Sequence, residues 1–236
     1  MEIVVAQVAQ LRTQITELFE ETVGATLDRG AGMADEPHRF TCGLTGGSTA
    51  LIFLGALREA AVAWDRITLY WGDERAVPLD HADSNFAIAE RLLLGPLGAR
   101  RPHALPMPAD QPDLTSAARD YAAVLPSALD LLILGIGEDG HVCSLFPGHK
   151  TLMDDTRVTT LDDAPKPPPR RMTLTMSYVL RARQIWVIAL GTRKREVLQQ
   201  AVSRGSLSTP LDMVVAQGKS VTVFTDQALR RGFLGR

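Results

Sequence analysis

Apolar positions along the chain fall into alternating helical and strand-like runs. Val8, Leu11, Ile15, Leu18, Phe19 and Val23 recur at helical spacing and predict an opening helix over Val8–Leu27. Phe40–Leu44 is a short apolar run, ending at Thr45-Gly46-Gly47-Ser48-Thr49. Ala50–Ala63 then reads as a helix, with Ser48 or Thr49 placed to cap it. Ile67–Trp71 is a second strand and leads into Gly72-Asp73-Glu74-Arg75. Ser84–Leu94 reads as a helix closed by Gly95-Pro96, with Asp83-Ser84-Asn85 as its opening cap.

Beyond it, Arg101–Pro112 reads as a Pro-rich loop and Leu114–Val124 as a helix. Asp130–Leu134 is a third strand, and Pro165–Pro169 a stiff extended loop rather than a linker, because the patterns resume on both sides. Met172–Met176, Gln184–Leu190 and Ser220–Thr225 are further strands, with a helix over Lys194–Val202 between the last two. No internal repeat is visible.

This alternation predicts a single α/β domain over residues 1–236: a Rossmann-like, mostly parallel sheet with helices on both faces. Ligands bind such sheets beyond the carboxyl ends of the strands. Thr45–Thr49, Gly72–Arg75, Gly135–His141 and Gly191–Lys194 all fall there, and each contains glycine.

Composition adds exclusions. The 236 residues, 45% hydrophobic and 22% charged, are ordinary for a folded domain with a sizeable core. No apolar run approaches the roughly 18 residues of a membrane span. Met1–Leu11 has no basic leader, and the two cysteines, Cys42 and Cys143, sit among apolar residues. Reduced core thiols in a cytoplasmic protein are the expectation.

The net charge of −2 conceals an asymmetry. From Lys166 onward thirteen Lys/Arg face three acidic residues, leaving twelve basic and twenty-four acidic residues before that point. A basic end on an acidic body points to a local anion site or to scattered surface charge. Nucleic acid is disfavoured, because the pI is 6.2 and aromatics do not interleave with the basic residues.

The loops divide by chemistry. Thr45–Thr49 joins a strand to a helix start, where free N–H groups and close backbone approach favour an anion. It lacks the G-K-[ST] ending of a Walker loop, and a plain capped turn remains the alternative. Gly135-Ile136-Gly137-Glu138-Asp139-Gly140 fits G-x-G-x-x-G. A dinucleotide loop, however, leads into a long helix, and here Pro147-Gly148 intervenes. Glu138 and Asp139 would also occupy the place of a pyrophosphate.

His141 is the stronger candidate in this stretch. It follows a strand end, two residues after Asp139, and a carboxylate there can fix its tautomer while it accepts a proton from water. A histidine bound to a loop carbonyl is the plainer alternative. Zinc by His141, Cys143 and His149 lacks the usual spacing, and a Cys143 nucleophile is disfavoured by its apolar flank. Asp73 and Arg75 form a charged cluster at a strand end. Arg171 and Lys194 are basic residues at element boundaries, each able to hold a phosphate.

Taken in order, "LTGGSTA", "WGDERAVPLDHADSNFAIAERLLL", "LGIGEDGHVCSLFPGH", "APKPPPRRMTLT" and "LGTRKREVL" resemble the 6-phosphogluconolactonase family over nearly the whole chain. GEDGH followed by SLFPGH is the most specific piece. The resemblance implies a sugar-phosphate isomerase/deaminase fold. It also implies hydrolysis of 6-phosphogluconolactone, the second oxidative step of the pentose phosphate pathway.

By that resemblance His141 is the general base, with Asp73 and Arg75 beside the reacting end; Asp139, the carboxylate that can orient His141, completes the expected catalytic set. Gly46, Gly47, Ser48 and Thr49 form the substrate loop, and Arg171 and Lys194 hold the phosphate. It implies no metal and no organic cofactor. The expected partner is a small anionic phosphosugar lactone, not nucleic acid or a membrane, and the expected state is a monomer or small homo-oligomer. Two departures are Ala50, where the family often has proline, and Cys143, where it often has a small residue; neither removes a chemical group.

The closest rival is a glucosamine-6-phosphate deaminase. That family follows its D-G-H with residues like A-F-N-E-P, where this chain has Ser144-Leu145-Phe146-Pro147. A non-catalytic sugar-phosphate sensor is the other class of alternative.

Overall fold

A computed structural model describes residues 1–30, 39–204 and 207–229. Of the basic residues counted above, Arg230, Arg231 and Arg236 lie outside them.

Seven strands form one parallel sheet: β1 (Glu2–Val5), β2 (Phe40–Leu44), β3 (Ile67–Trp71), β5 (His103–Leu105), β6 (Leu131–Gly135), β9 (Gln184–Ala189) and β10 (Val221–Thr225). Their spatial order is β1-β10-β9-β6-β2-β3-β5, and every pairing is parallel. β3 and β10 are buried at every position, so both faces of the sheet are covered. The chain runs outward from β2 through β3 to β5, then returns to place β6 against the other side of β2. The loops after β2 and β6 therefore diverge at a topological switch point, where such sheets open a crevice.

Between Val8 and Gly30 the opening helix buries Leu11, Ile15, Phe19 and Val23. Phe19 packs on Phe40, Trp64 and Trp186 at ring separations of 6.0, 5.8 and 6.4 Å. Asp130, buried before β6, accepts from the Thr41 backbone N–H at 2.9 Å and its hydroxyl at 2.8 Å, fixing the β2–β6 register.

Several elements differ from the sequence expectation. Asp73-Glu74-Arg75 is not a loop but β4 (Asp73–Arg75), which joins β8 (Arg171–Leu174) and β7 (Val158–Leu161) in a second, antiparallel sheet. Arg171 is thus the first residue of its strand rather than its approach, and that strand is not in the parallel sheet. β1 and β7 lie in stretches assigned no strand, and β5 sits inside the Pro-rich segment.

Among the helices, the one after β2 ends at Glu59, not Ala63, and neither Ser48 nor Thr49 caps it through a side chain. Thr49 is already helical, at φ −90° and ψ −10°, and its buried hydroxyl lies beside Gly135 of β6. Ser84 does cap the next helix, accepting from the Ala87 N–H. That helix does not stop at Gly95-Pro96. A wide π turn over Glu90–Leu94 carries it to Leu97, and the stop is Gly98 at φ +55°. The Pro210–Gln217 helix was missed, although Thr209-Pro210-Leu211-Asp212 spells a capping box with Pro at the first turn.

Candidate functional site

The crevice at the switch point is an open pocket of about 430 Å³. Every residue given a site role from sequence lines it except Asp139, which contacts the lining His141. Gly46, Gly47, Ser48 and Thr49 line it from the loop after β2, Asp73 and Arg75 from β4, Arg171 from β8, and Lys194 from the turn after β9. His141 lines it from the loop after β6.

That last loop is built by short bonds. The Gly137 N–H donates to the His141 carbonyl at 2.9 Å, and the Gly140 N–H to the Gly137 carbonyl at 3.1 Å. Gly140 sits at φ +80°, the left-handed region that glycine enters without strain. The turn brings Asp139 Oδ1 to 2.5 Å from His141 Nδ1. A Cβ on Gly137 would lie 2.0 Å from His141 Nδ1 and 2.3 Å from Asp139 Oδ1, so glycine is required for this pair to form. The G-x-G-x-x-G pattern is therefore a histidine mount, not a nucleotide cradle.

His141 is mostly buried, and its ring stacks at a tilt on Phe146, centroids 4.7 Å apart. Burial pushes its pKa below the ordinary 6.5, assisted by the Lys166 charge and opposed by Asp139 and Asp73. With Nδ1 engaged by Asp139, Nε2 is left with its lone pair at neutral pH. Burial raises Asp139, but the hydrogen bond and charge of His141, with Lys166, outweigh it and hold its pKa below 3.8.

Behind the pocket a buried network fixes Asp73. Its carboxylate accepts from the Asn85 amide at 3.1 Å and from the Ser144 hydroxyl at 2.7 Å. Glu74, fully buried, accepts from the Ser84 hydroxyl and from the N–H groups of Arg75, Asn85 and Phe86. It is pushed up by burial, yet its four donors bolt β4 to the start of the next helix. Asn85 also closes over Gly46, where a Cβ would lie 1.8 Å from its Oδ1.

The anion-binding candidates are not equivalent. Lys194 Nζ approaches Ser48 Oγ at 3.3 Å, with Ser48 and Gly47 exposed at the pocket mouth. Arg171 is 4% exposed and already donates to the Pro168 and Lys166 carbonyls at 2.9 Å, to Pro167 at 3.3 Å and to Ser144 Oγ at 3.3 Å. Most of its donors are spent on the protein. Arg75 donates to the Asp83 carbonyl at 2.5 Å, while its buried Nε has no partner.

Cys143 lines the pocket with its thiol raised by burial and by Asp73, which disfavours the thiolate a nucleophile needs. His149 is turned elsewhere, bonded to Thr151 and to Asp163 at 3.0 Å. Among the described residues no group of three or more His, Cys, Asp or Glu is arranged to hold a metal ion. No described helix is long and apolar enough to cross a membrane.

Sequence reasoning did not single out Asn85 beyond a cap, nor Ser144, Phe146 or Lys166. The signal for Ser144 and Phe146 lay in the quoted stretch itself, within five residues of His141. That for Lys166 did not: only tertiary structure brings it to the loop after β6.

Against known proteins, residues 9–224 match the family described as glucosamine-6-phosphate isomerases/6-phosphogluconolactonase. The chain belongs to this family. Among its relatives, the "6-phosphogluconolactonase" of Rattus norvegicus is 33% identical over 94% of this chain and 89% of its own. The protein of the same name from Homo sapiens is 36% identical over 84% of this chain and 83% of its own. A solved 6-phosphogluconolactonase from Thermotoga maritima superposes with a TM-score of 0.75 at 27% identity, covering 95% of this chain and 98% of that one. A monomeric glucosamine-6-phosphate deaminase reaches 0.74 at 19% identity over 96% and 98% of the two chains, a likeness of fold alone.

Proposed function

We propose that this family member is a 6-phosphogluconolactonase, hydrolysing 6-phospho-D-glucono-1,5-lactone to 6-phospho-D-gluconate in the oxidative pentose phosphate pathway. The observation that carries the mechanism is the Asp139–His141 contact of 2.5 Å on the pocket wall. Asp139 accepts a hydrogen bond from His141 Nδ1–H, which leaves the Nε2 lone pair as the base.

In this reading the substrate phosphate lies against Lys194, Ser48 and the N–H groups of the Gly46–Thr49 loop. Arg171 contributes its remaining N–H and its charge from beneath. Water enters between His141 and the lactone carbonyl. His141 takes one of its protons as the oxygen bonds to the carbonyl carbon. Arg75 or a loop N–H meets the developing oxyanion. His141 then returns the proton to the ring oxygen as the C–O bond breaks, and the new acid ionises to the carboxylate. Asp73, held on both oxygens, keeps the wall of the pocket rigid and negative beside the developing imidazolium.

The test is turnover of freshly generated 6-phosphogluconolactone, with spontaneous hydrolysis subtracted. His141→Ala is expected to retain the fold and lose about 10²–10⁴-fold in kcat. Near-normal turnover by that variant overturns the general base. Ammonia release from glucosamine 6-phosphate would overturn the substrate. Phosphosugar binding without hydrolysis would mark a sensor.

A further inference from the structure

We propose that Lys166 is a positioning residue of the hydrolytic site, its ammonium sharing the Asp139 oxygen that orients His141. This deepens the lactonase reading and rests on His141 as its base.

The geometry is a three-body contact. Asp139 Oδ1 stands 2.5 Å from His141 Nδ1 and 3.4 Å from Lys166 Nζ. Lys166 comes from the segment before β8, far along the chain, and its approach is built rather than incidental. The segment is closed on itself by the Ala164 N–H donating to the Pro169 carbonyl at 3.0 Å. The buried Arg171 guanidinium grips three successive carbonyls, Lys166 through Pro168. The same guanidinium lies over Phe146, the ring on which His141 rests, at 5.8 Å. One buried cation therefore sets both the loop that presents Lys166 and the platform under His141.

Folding stability does not explain the contact. Lys166 and Asp139 are 47% and 38% exposed, and pairs this open contribute little. The consequence is local. The ammonium draws on the carboxylate oxygen, so Asp139 fixes the imidazole without pulling a second proton onto it. It also opposes the imidazolium directly. The other charged groups around His141 are Asp139 on its own loop, Asp73 and Arg75 from β4, Arg171 from β8 and Lys194 from the turn after β9. Asp212, on the helix packed against Gly140, is spent on the Thr209 backbone. Among the described residues, Lys166 is the cation in contact with the Asp139–His141 pair.

The experiment titrates the His141 ring by NMR in ¹⁵N-histidine-labelled protein, assigned with His141→Ala, alongside kcat/KM against pH. Lys166→Met is expected to raise the His141 midpoint by about half a unit, a charge contact of ordinary strength at a partly exposed site. The acid limb of kcat/KM moves with it, so the deficit grows as pH falls, to about threefold below both midpoints. Lys166→Arg restores the wild-type midpoint. A Lys166→Met midpoint that is unchanged or lower overturns the proposal, as does equal loss at all pH values. Full activity in His141→Ala instead overturns the general base, whatever Lys166→Met shows.

Discussion

Gly137→Ala isolates the histidine mount from the rest of the fold. The residue sits between the two members of the pair, and its new Cβ would meet His141 Nδ1 at 2.0 Å and Asp139 Oδ1 at 2.3 Å. Ordinary contacts begin at 3.4 Å, so the ring and carboxylate must each retreat by about 1 Å or more. Gly137 is not among the glycines with positive φ, so alanine is tolerated by the backbone, and the damage stays at the side chains. A misplacement of about 1 Å costs roughly 10²-fold in rate, and loss of the Asp139 bond also frees the tautomer. The expected result is a kcat lower by about two orders of magnitude, with an unchanged circular dichroism spectrum and melting within a few degrees of the parent. The assay is lactone turnover with the spontaneous rate subtracted. A Gly137→Ala enzyme within threefold of the parent would refute the claim that this glycine exists to admit the Asp139–His141 contact.

Lys194→Ala is expected to raise KM for the phosphorylated lactone at least tenfold with a smaller change in kcat, read from initial rates; an unchanged KM removes Lys194 from the phosphate site. Because His141 is held below the ordinary 6.5, kcat/KM should rise with pH through a midpoint under that value and then flatten, so a midpoint above 6.5 contradicts the buried, Lys166-flanked ring. The same depression means the unfolded chain binds the His141 proton first. This contribution to stability is present above 6.5 and declines as pH falls from there to the folded midpoint, which urea titrations at a series of pH values will show. Thr209→Ala breaks the capping box of the Pro210–Gln217 helix and should cost about 1 kcal/mol by denaturant unfolding.

The parallel sheet was legible because β2, β3, β6, β9 and β10 are apolar at most positions, with threonine as the main exception, the pattern of strands buried on both faces. Their loops then pointed to the pocket by topology alone. The second sheet was hidden for the opposite reason. β4 reads Asp-Glu-Arg, and its burial depends on Ser84, Asn85 and Ser144 arriving from elsewhere to meet its charges. Charged residues with tertiary partners carry no local signature of a strand. Arg171 shows the same limit. Its charge and position before "MTLT" suggested an anion site, while its burial among proline carbonyls requires the fold. Lys166, exposed and within a proline run, gave no sign of its reach to Asp139.

The pairing of β1 with β10 has one more consequence. β10 is buried at all five positions, and among the described residues the strand on its outer side is the four-residue β1. These are the first and last described strands, so this pairing closes a loop that spans nearly the whole chain. Until that closure, β10 presents an unpaired apolar edge, the kind of template on which a second molecule can add a strand. The half-exposed β1, opening with Glu2, acts as a selvedge: it contributes little core, but it finishes the cloth.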